Sequence, residues 1–242
     1  YALIRSQTLL FPPDTQPGDL LLVVAGLTMP VGVLGAITQN DVKRILSFHI
    51  VRQIGYMVMG LGLFTLVGLA GAVLYVIHHI VVKTTLFLVA GLIELRAGTS
   101  NLAKLSGVAR LEPLLAVLFL LPALSLAGIP PFSGFVAKLA LVDAGIGAEA
   151  YAVVAVSLVV SLLTLYSMSK IWANAFWGAH EPGPAVPALS SPRRALMVWS
   201  TGGLVVLSLG IALASGPLYD LSERAAADLI DPTAYVEAGL GR

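Results

Sequence analysis

The sequence predicts an all-α polytopic membrane protein of about six transmembrane helices, one of them broken at Pro130–Pro131. Three observations lead there. Hydrophobic residues make up 57% of the 242 and charged residues only 11%, against roughly 25% charged in ordinary soluble domains. The apolar residues come in near-continuous stretches of about 18 or more, the length that crosses a bilayer as helix, rather than in amphipathic periods. Most of the charges collect in short segments between those stretches. With a net charge of +1 and its basic residues mostly in loops, the chain offers no basic face to nucleic acid. Cysteine is absent, which excludes disulfides, thiolate metal sites and iron–sulfur ligation. No metal and no cofactor are expected.

Taken in order, the opening YALIRSQTLLF has neither an initiator methionine nor a cleavable leader pattern, so it reads as the tail of a helix. The first full span is expected from about Asp19 to Thr38, and the second, opened by the turn TQNDVKR, from about Lys43 to Phe64. The glycine-containing TLVGLAG is expected to link it to a third span, from about Gly71 to Glu94. RAGTSNLAKLSGVARLE follows as a polar stretch lying along the membrane surface. The fourth span, about Pro113 to Val142, is too long for one ordinary crossing and contains GIPPFSG. Proline lacks a backbone N–H and clashes with the preceding turn, so Pro130 and Pro131 should break the helix, freeing carbonyls near Ala127 and Gly128. In a bilayer such carbonyls need buried protein or water, and broken helices in transporters mark transport pathways. The fifth span runs from about Tyr151 to Trp177; the proline-rich linker HEPGPAVPALSSPRR precedes the sixth, about Ala195 to Ser215. Residues 1–218 thus read as a transmembrane domain and 219–242 as a polar carboxy-terminal tail.

Basic loop residues favour the cytoplasmic side. Lys43, Arg44, Arg96, Lys104, Arg110, Arg193 and Arg194 fall on one side of the membrane, against Arg5, Arg224 and Arg242 on the other, which puts the carboxy terminus outside. Trp172, Trp177 and Trp199 read as interface anchors.

Within the spans remain Arg52, Lys83, Lys138 and Lys170 with His49, His78 and His79, all basic. A charge at the bilayer centre costs roughly 2.5–3.5 kcal/mol even on the lenient insertion scale, so a group of them calls for a reason. Lys83 is deepest. At 100° per residue Tyr75, His79 and Lys83 share one stripe roughly 12 Å long, with His78 beside it as either a further relay group or packing support. A hydroxyl, an imidazole and an amine at that spacing can hand a proton along. The plainer alternative for the histidines is interhelical hydrogen bonding. For Lys138, just past the break, the alternative to a proton role is to bond the freed carbonyls. Lys170 is either a group for proton uptake or release or a snorkelling lysine. His49, Arg52, Gln53 and Tyr56 share one side of the second span, where His49 and Arg52 serve either proton uptake or interfacial anchoring.

These segments carry a resemblance. NDVKRILSFHIVRQIGYMVMGLG, HHIVVKTTLFLVAG and GIPPFSGFVAK, in that order over residues 40–138, resemble three motifs of the antiporter-like membrane subunits shared by respiratory complex I and multisubunit cation/proton antiporters. FHIV, GIPPFSGF and DPTAYVEAGLG are most similar to the D-type branch of Mrp-type sodium/proton antiporters. The resemblance implies the carboxy-terminal half of an inverted-repeat fold, with the amino-terminal copy and its key glutamate and lysine lying outside this chain. It assigns the central proton relay to His79 and Lys83 and the terminal lysine role to Lys138. Tyr75 stands where many relatives carry another histidine, and a tyrosine hydroxyl, near pKa 10 in water, is a poorer proton carrier at neutral pH. The function implied is proton translocation within a hetero-oligomeric sodium/proton antiporter of the cell (inner) membrane, with sodium coordinated elsewhere and no enzyme activity of its own. The alternatives are a pump subunit of a complex I-type redox enzyme and a non-conducting membrane scaffold.

Overall fold

Apolar runs bounded by capping residues become the helices. The computed structural model describes residues 2–11, 15–178, 191–231, 233 and 237. Outside them lie Tyr1, most of the proline-rich linker, and nearly all of the chain after Asp231 including Arg242; the side chain of Arg193 is likewise not described. Ten α-helices are described: α1 (Ala2–Leu10), α2 (Gly18–Thr38), α3 (Val42–Leu63), α4 (Leu66–Ala97), the short α5 (Val108–Leu111), α6 (Pro113–Ala127), α7 (Ser133–Gly147), α8 (Tyr151–Ile171), α9 (Ser191–Leu213) and α10 (Ser215–Ile230). Among the described residues, five segments are long and apolar enough to cross a membrane: Gly18–Thr38, Val42–Leu63, Leu66–Ala97, Tyr151–Phe176 and Arg194–Leu213. The sixth crossing is shared by α6 and α7, two half-length helices either side of the break.

Each boundary has a local cause. Asp41 caps α3 by accepting a hydrogen bond from the Arg44 backbone N–H at 3.0 Å, supplying a partner for an orphan donor of the first turn. Thr65 does the same for α4 at Gly68, 3.0 Å. That cap corrects one expectation. TLVGLAG is not a link: after Phe64 and Thr65 the chain is helical from Leu66, because its small residues pack helix against helix. A Cβ on Gly71 would touch Leu141 and Ala140, and one on Gly60 would press the Gly68 carbonyl. Pro113 opens α6, where its missing N–H costs nothing. The polar stretch between the third and fourth spans contains a 3₁₀ turn, Leu102–Lys104, followed by α5.

α2 and α3 lie in close contact. A Cβ on Gly32 would overlap the Arg52 backbone nitrogen, and one on Gly55 would meet Met29 and Ala25, the small-residue packing by which membrane helices gain van der Waals contact. α4 lies centrally, against α3, α6, α7, α9 and α10. The stretch expected as a polar tail is helical over Ser215–Ile230, where Ala226 and Leu229 pack with Leu69, Ala70 and Ala72 of α4 and Ile4 of α1.

The loops predicted to share one side meet at one end of the bundle. Val42 N–H donates to the Ser100 carbonyl, Leu102 N–H to that of Asn40, and Gly107 N–H to that of Trp177. Lys43 pairs with Glu94, and Glu112 is bonded by Arg96 and Arg194. Trp172 departs from the anchor expectation. It stacks with Phe119 and Phe176, with ring centroids 6.5 and 4.9 Å away, while Trp177 and Trp199 are exposed.

Candidate functional site

The α3 turn spacing brings His49, Arg52, Gln53 and Tyr56 into the interior, where all four are buried. Arg52 Nε donates to His49 Nδ1 at 3.2 Å, and His49 Nε2 meets the Ser167 hydroxyl of α8 at 2.9 Å. Because a guanidinium can only donate, Nδ1 accepts, and the neutral ring therefore carries its proton on Nε2 and donates it to Ser167. The Tyr56 hydroxyl donates to the Ser157 carbonyl at 2.5 Å and lies 2.8 Å from Ser161 Oγ.

From α4, Tyr75 stacks on Tyr56 at 5.4 Å between centroids, and His78 meets Tyr75 edge-on at 5.7 Å. His78 Nδ1 then reaches across to the broken helix, 2.9 Å from Ser133 Oγ, which is 3.3 Å from Ser125 Oγ. Gly134 makes this approach possible. A Cβ there would overlap the Ser125 carbonyl oxygen and lie 2.9 Å from the His78 ring.

The break itself is closed by Lys138. α6 ends at Gly128, which adopts φ 84°, a left-handed cap suited to glycine. The last carbonyls of a helix have no intrahelical partner, and Lys138 Nζ donates to those of Ala127 at 2.6 Å and Leu126 at 3.4 Å. Pro130 and Pro131 occupy the turn between the half-helices. The same ammonium lies 5.4 Å from the Tyr56 ring centroid, and the Arg52 guanidinium carbon lies 5.6 Å from it.

Of the sequence-predicted residues, the fold thus brings His49, Tyr75, His78 and Lys138 into one contiguous group. Lys83 is buried nearby, donating to the Leu46 carbonyl of α3 at 2.8 Å. His79 is on the same α4 stripe as expected but only partly buried. The two histidines differ in their contacts. His78, expected as either a relay group or packing support, links α4 to the break, because Gly134 leaves room for its ring. Lys170 stands apart, donating to the carbonyls of Ile37 and Gln39 and to Asn40 Oδ1 at 2.7–3.1 Å; it caps the end of α2.

The sequence reading leaves one part of the site undecided and misses another. Arg52 is central rather than interfacial. On α8, Ser157, Ser161, Thr164 and Ser167 form one stripe against α3, and their spacing of four, three and three residues is the signal that could have found them.

A run of polar atoms along α3 and α4 is buried without a hydrogen-bond partner: both terminal nitrogens of Arg52, Nε2 and Oε1 of Gln53, the Tyr75 hydroxyl, and Nε2 of His78 and of His79. Native proteins satisfy such groups with protein or water. A polar stretch this rich in donors and acceptors is where buried water is held. Among the described residues no carboxylate is buried in the bundle.

Residues 1–164 match the family described as NADH:quinone oxidoreductase/Mrp antiporter, transmembrane. The D subunit of a Na+/H+ antiporter from Alkalihalophilus pseudofirmus is 45% identical over 99% of this chain and 48% of its own length. The chain spans about half the length of the curated relatives it matches. Among solved structures, the Mrp complex from Dietzia sp. contains a chain 39% identical, with a TM-score of 0.88 over 98% of this chain and 52% of that one. Respiratory complex I from Thermus thermophilus contains one 26% identical, with a TM-score of 0.73 over 89% of this chain and 45% of that one.

Proposed function

This chain belongs to the NADH:quinone oxidoreductase/Mrp antiporter transmembrane family, and from that premise we propose that it is a proton-translocating part of a multisubunit sodium/proton antiporter in the cell membrane. Protons pass along the interior between α3, α4 and the broken α6–α7 pair. Lys83 and Lys138 change protonation, and His78, His79 and His49 connect them with water. Other subunits of a hetero-oligomeric complex and the remainder of the antiporter-like fold complete the path and supply sodium coordination. Dehydrated sodium is best held by oxygen ligands, many of them carboxylates, which this interior lacks among the described residues.

The observation that carries the reading is the set of buried polar groups on α3 and α4 with unpartnered atoms: Arg52, Gln53, Tyr75, His78 and His79. A scaffold has no reason to retain them, since each unpartnered polar atom in a buried site is costly. The 45% identity with an antiporter D subunit, against 26% with the complex I chain, favours antiport over a redox-driven pump.

The test is Lys83→Ala in the complete, assembled complex, following pH-gradient-driven sodium exchange in vesicles. Exchange should fall roughly a hundredfold or more, the scale of losing an acid–base group. Undiminished exchange in an assembled complex contradicts the relay and leaves the scaffold reading.

A further inference from the structure

We propose that the two terminal nitrogens of Arg52, with the Tyr75 hydroxyl, form a binding site for a small monovalent anion, chloride first among them, in the interior between α3 and α4. The site goes beyond the proton path and stands on its own geometry. It gives a function to an otherwise odd feature, a guanidinium fully buried in a membrane bundle in which no carboxylate is buried among the described residues.

A guanidinium is donor-only and stays charged inside a protein. The Nε donor of Arg52 is used on His49 Nδ1 at 3.2 Å, which fixes the direction of the fork. The N–H groups of Nη1 and Nη2, at its open end, meet no acceptor in the protein. The guanidinium carbon lies 5.6 Å from the Tyr56 ring centroid, and Tyr56 is itself fixed by its hydroxyl on Ser157 and by its stack on Tyr75. The Tyr75 hydroxyl lies within the field of the guanidinium and is likewise buried and unpartnered. α2 packs against the Arg52 backbone, where a Cβ on Gly32 would overlap its nitrogen. The fork is therefore held from several elements at once.

These donors select the ligand. A fork that only donates, beside a hydroxyl free to donate, recognises a negatively charged acceptor. Leaving a buried charge without a counter-charge is strongly destabilising. Lys138 Nζ lies 5.4 Å from the centroid of the same Tyr56 ring, so a second basic head stands near the same place. Burial excludes a carboxylate side chain from a neighbouring subunit, because Arg52 is 0% exposed. A small monovalent ion is favoured over a divalent one, whose greater desolvation cost a single guanidinium does not offset. Gln53 projects about 100° round α3 from Arg52, so its unpartnered Oε1, which would repel an anion, belongs to the water-holding stretch instead.

The experiment uses the complete complex, purified in detergent with gluconate as the only anion. Radiolabelled chloride bound at equilibrium is measured as chloride replaces gluconate at constant ionic strength, with assembly scored by co-purification of the partner subunits. The parent complex should bind one chloride more than the Arg52→Gln complex, saturably, with bromide competing and the bulkier gluconate not. Equal binding by parent and Arg52→Gln, or binding in the parent that does not saturate, overturns the proposal and leaves water alone to solvate the guanidinium. Should Arg52→Gln fail to assemble, Tyr75→Phe keeps the ring stack and removes only the hydroxyl donor. Half-saturating chloride should then rise about tenfold or more, the scale of one hydrogen bond to a charged group, and an unmoved value overturns the proposal. Binding is read without a proton gradient, so its outcome is separate from that of the proton-path reading: full exchange with Lys83→Ala removes the relay and leaves this site standing.

Discussion

Lys138 combines two demands that the sequence sets out as alternatives. It bonds the Ala127 and Leu126 carbonyls freed by the break, and it stands over the Tyr56 ring within the polar interior. The two are compatible, since a neutral amine still donates through its remaining N–H groups. Gly134 imposes a second constraint at this scale. A methyl group there would overlap the Ser125 carbonyl oxygen, and a backbone atom cannot swing aside as a side chain does. Gly134→Ala should therefore push the half-helices apart and separate His78 from Ser133. Overpacking of this kind costs about 1–3 kcal/mol, read as a lower melting temperature of the purified complex. An unchanged melting temperature would show that the break tolerates a wider angle.

Helix boundaries are legible in the sequence where a cap or a proline stands at the end of an apolar run, as at Asp41, Pro113 and Gly128. TLVGLAG defeats that rule because glycine has two uses: elsewhere it breaks helices, whereas in this bundle Gly68 and Gly71 serve contact between α4 and its neighbours. Which side chains meet is less legible. Periodicity puts Tyr75, His79 and Lys83 on one stripe, but it cannot show that Gly134 on a distant helix makes room for His78. Nor can it show that Arg52 reaches inward to His49. The N-terminus of α3 allows a test at the element scale. Burial raises the Asp41 carboxyl, but the Ser100 hydroxyl, the Arg44 and Lys43 backbone N–H groups and the Arg44 charge together hold it below the ordinary 3.8. A depressed carboxyl stabilises the fold above the unfolded-state value, and the contribution is lost as pH falls through the folded-state value. Asp41→Ala should cost about 1 kcal/mol at neutral pH, with the gap in melting temperature from the parent closing as pH falls below 3.8. A gap that persists in acid would mean that packing, and not the ionised cap, is what Asp41 supplies.

On the scale of the whole molecule, the outer faces of α2, α8 and α9 carry exposed Leu27, Leu162 and Leu213, while basic and hydroxyl side chains are turned inward. That is the reverse of a soluble protein and suits a bundle whose solvent is lipid. One end is tied by ion pairs among the loops, and α4 runs through the centre carrying Tyr75, His78 and Lys83 past the break. The central proposal is that this interior moves protons, with Lys138 as a group that gives its proton up. Lys138→Arg tests it most directly, because arginine can still donate to the Ala127 and Leu126 carbonyls but does not deprotonate. In the assembled complex, with pH-gradient-driven sodium exchange followed in vesicles, the expected result is a stable complex without exchange. Full exchange with Lys138→Arg would contradict the proposal and leave Lys138 as a clamp on the broken helix alone.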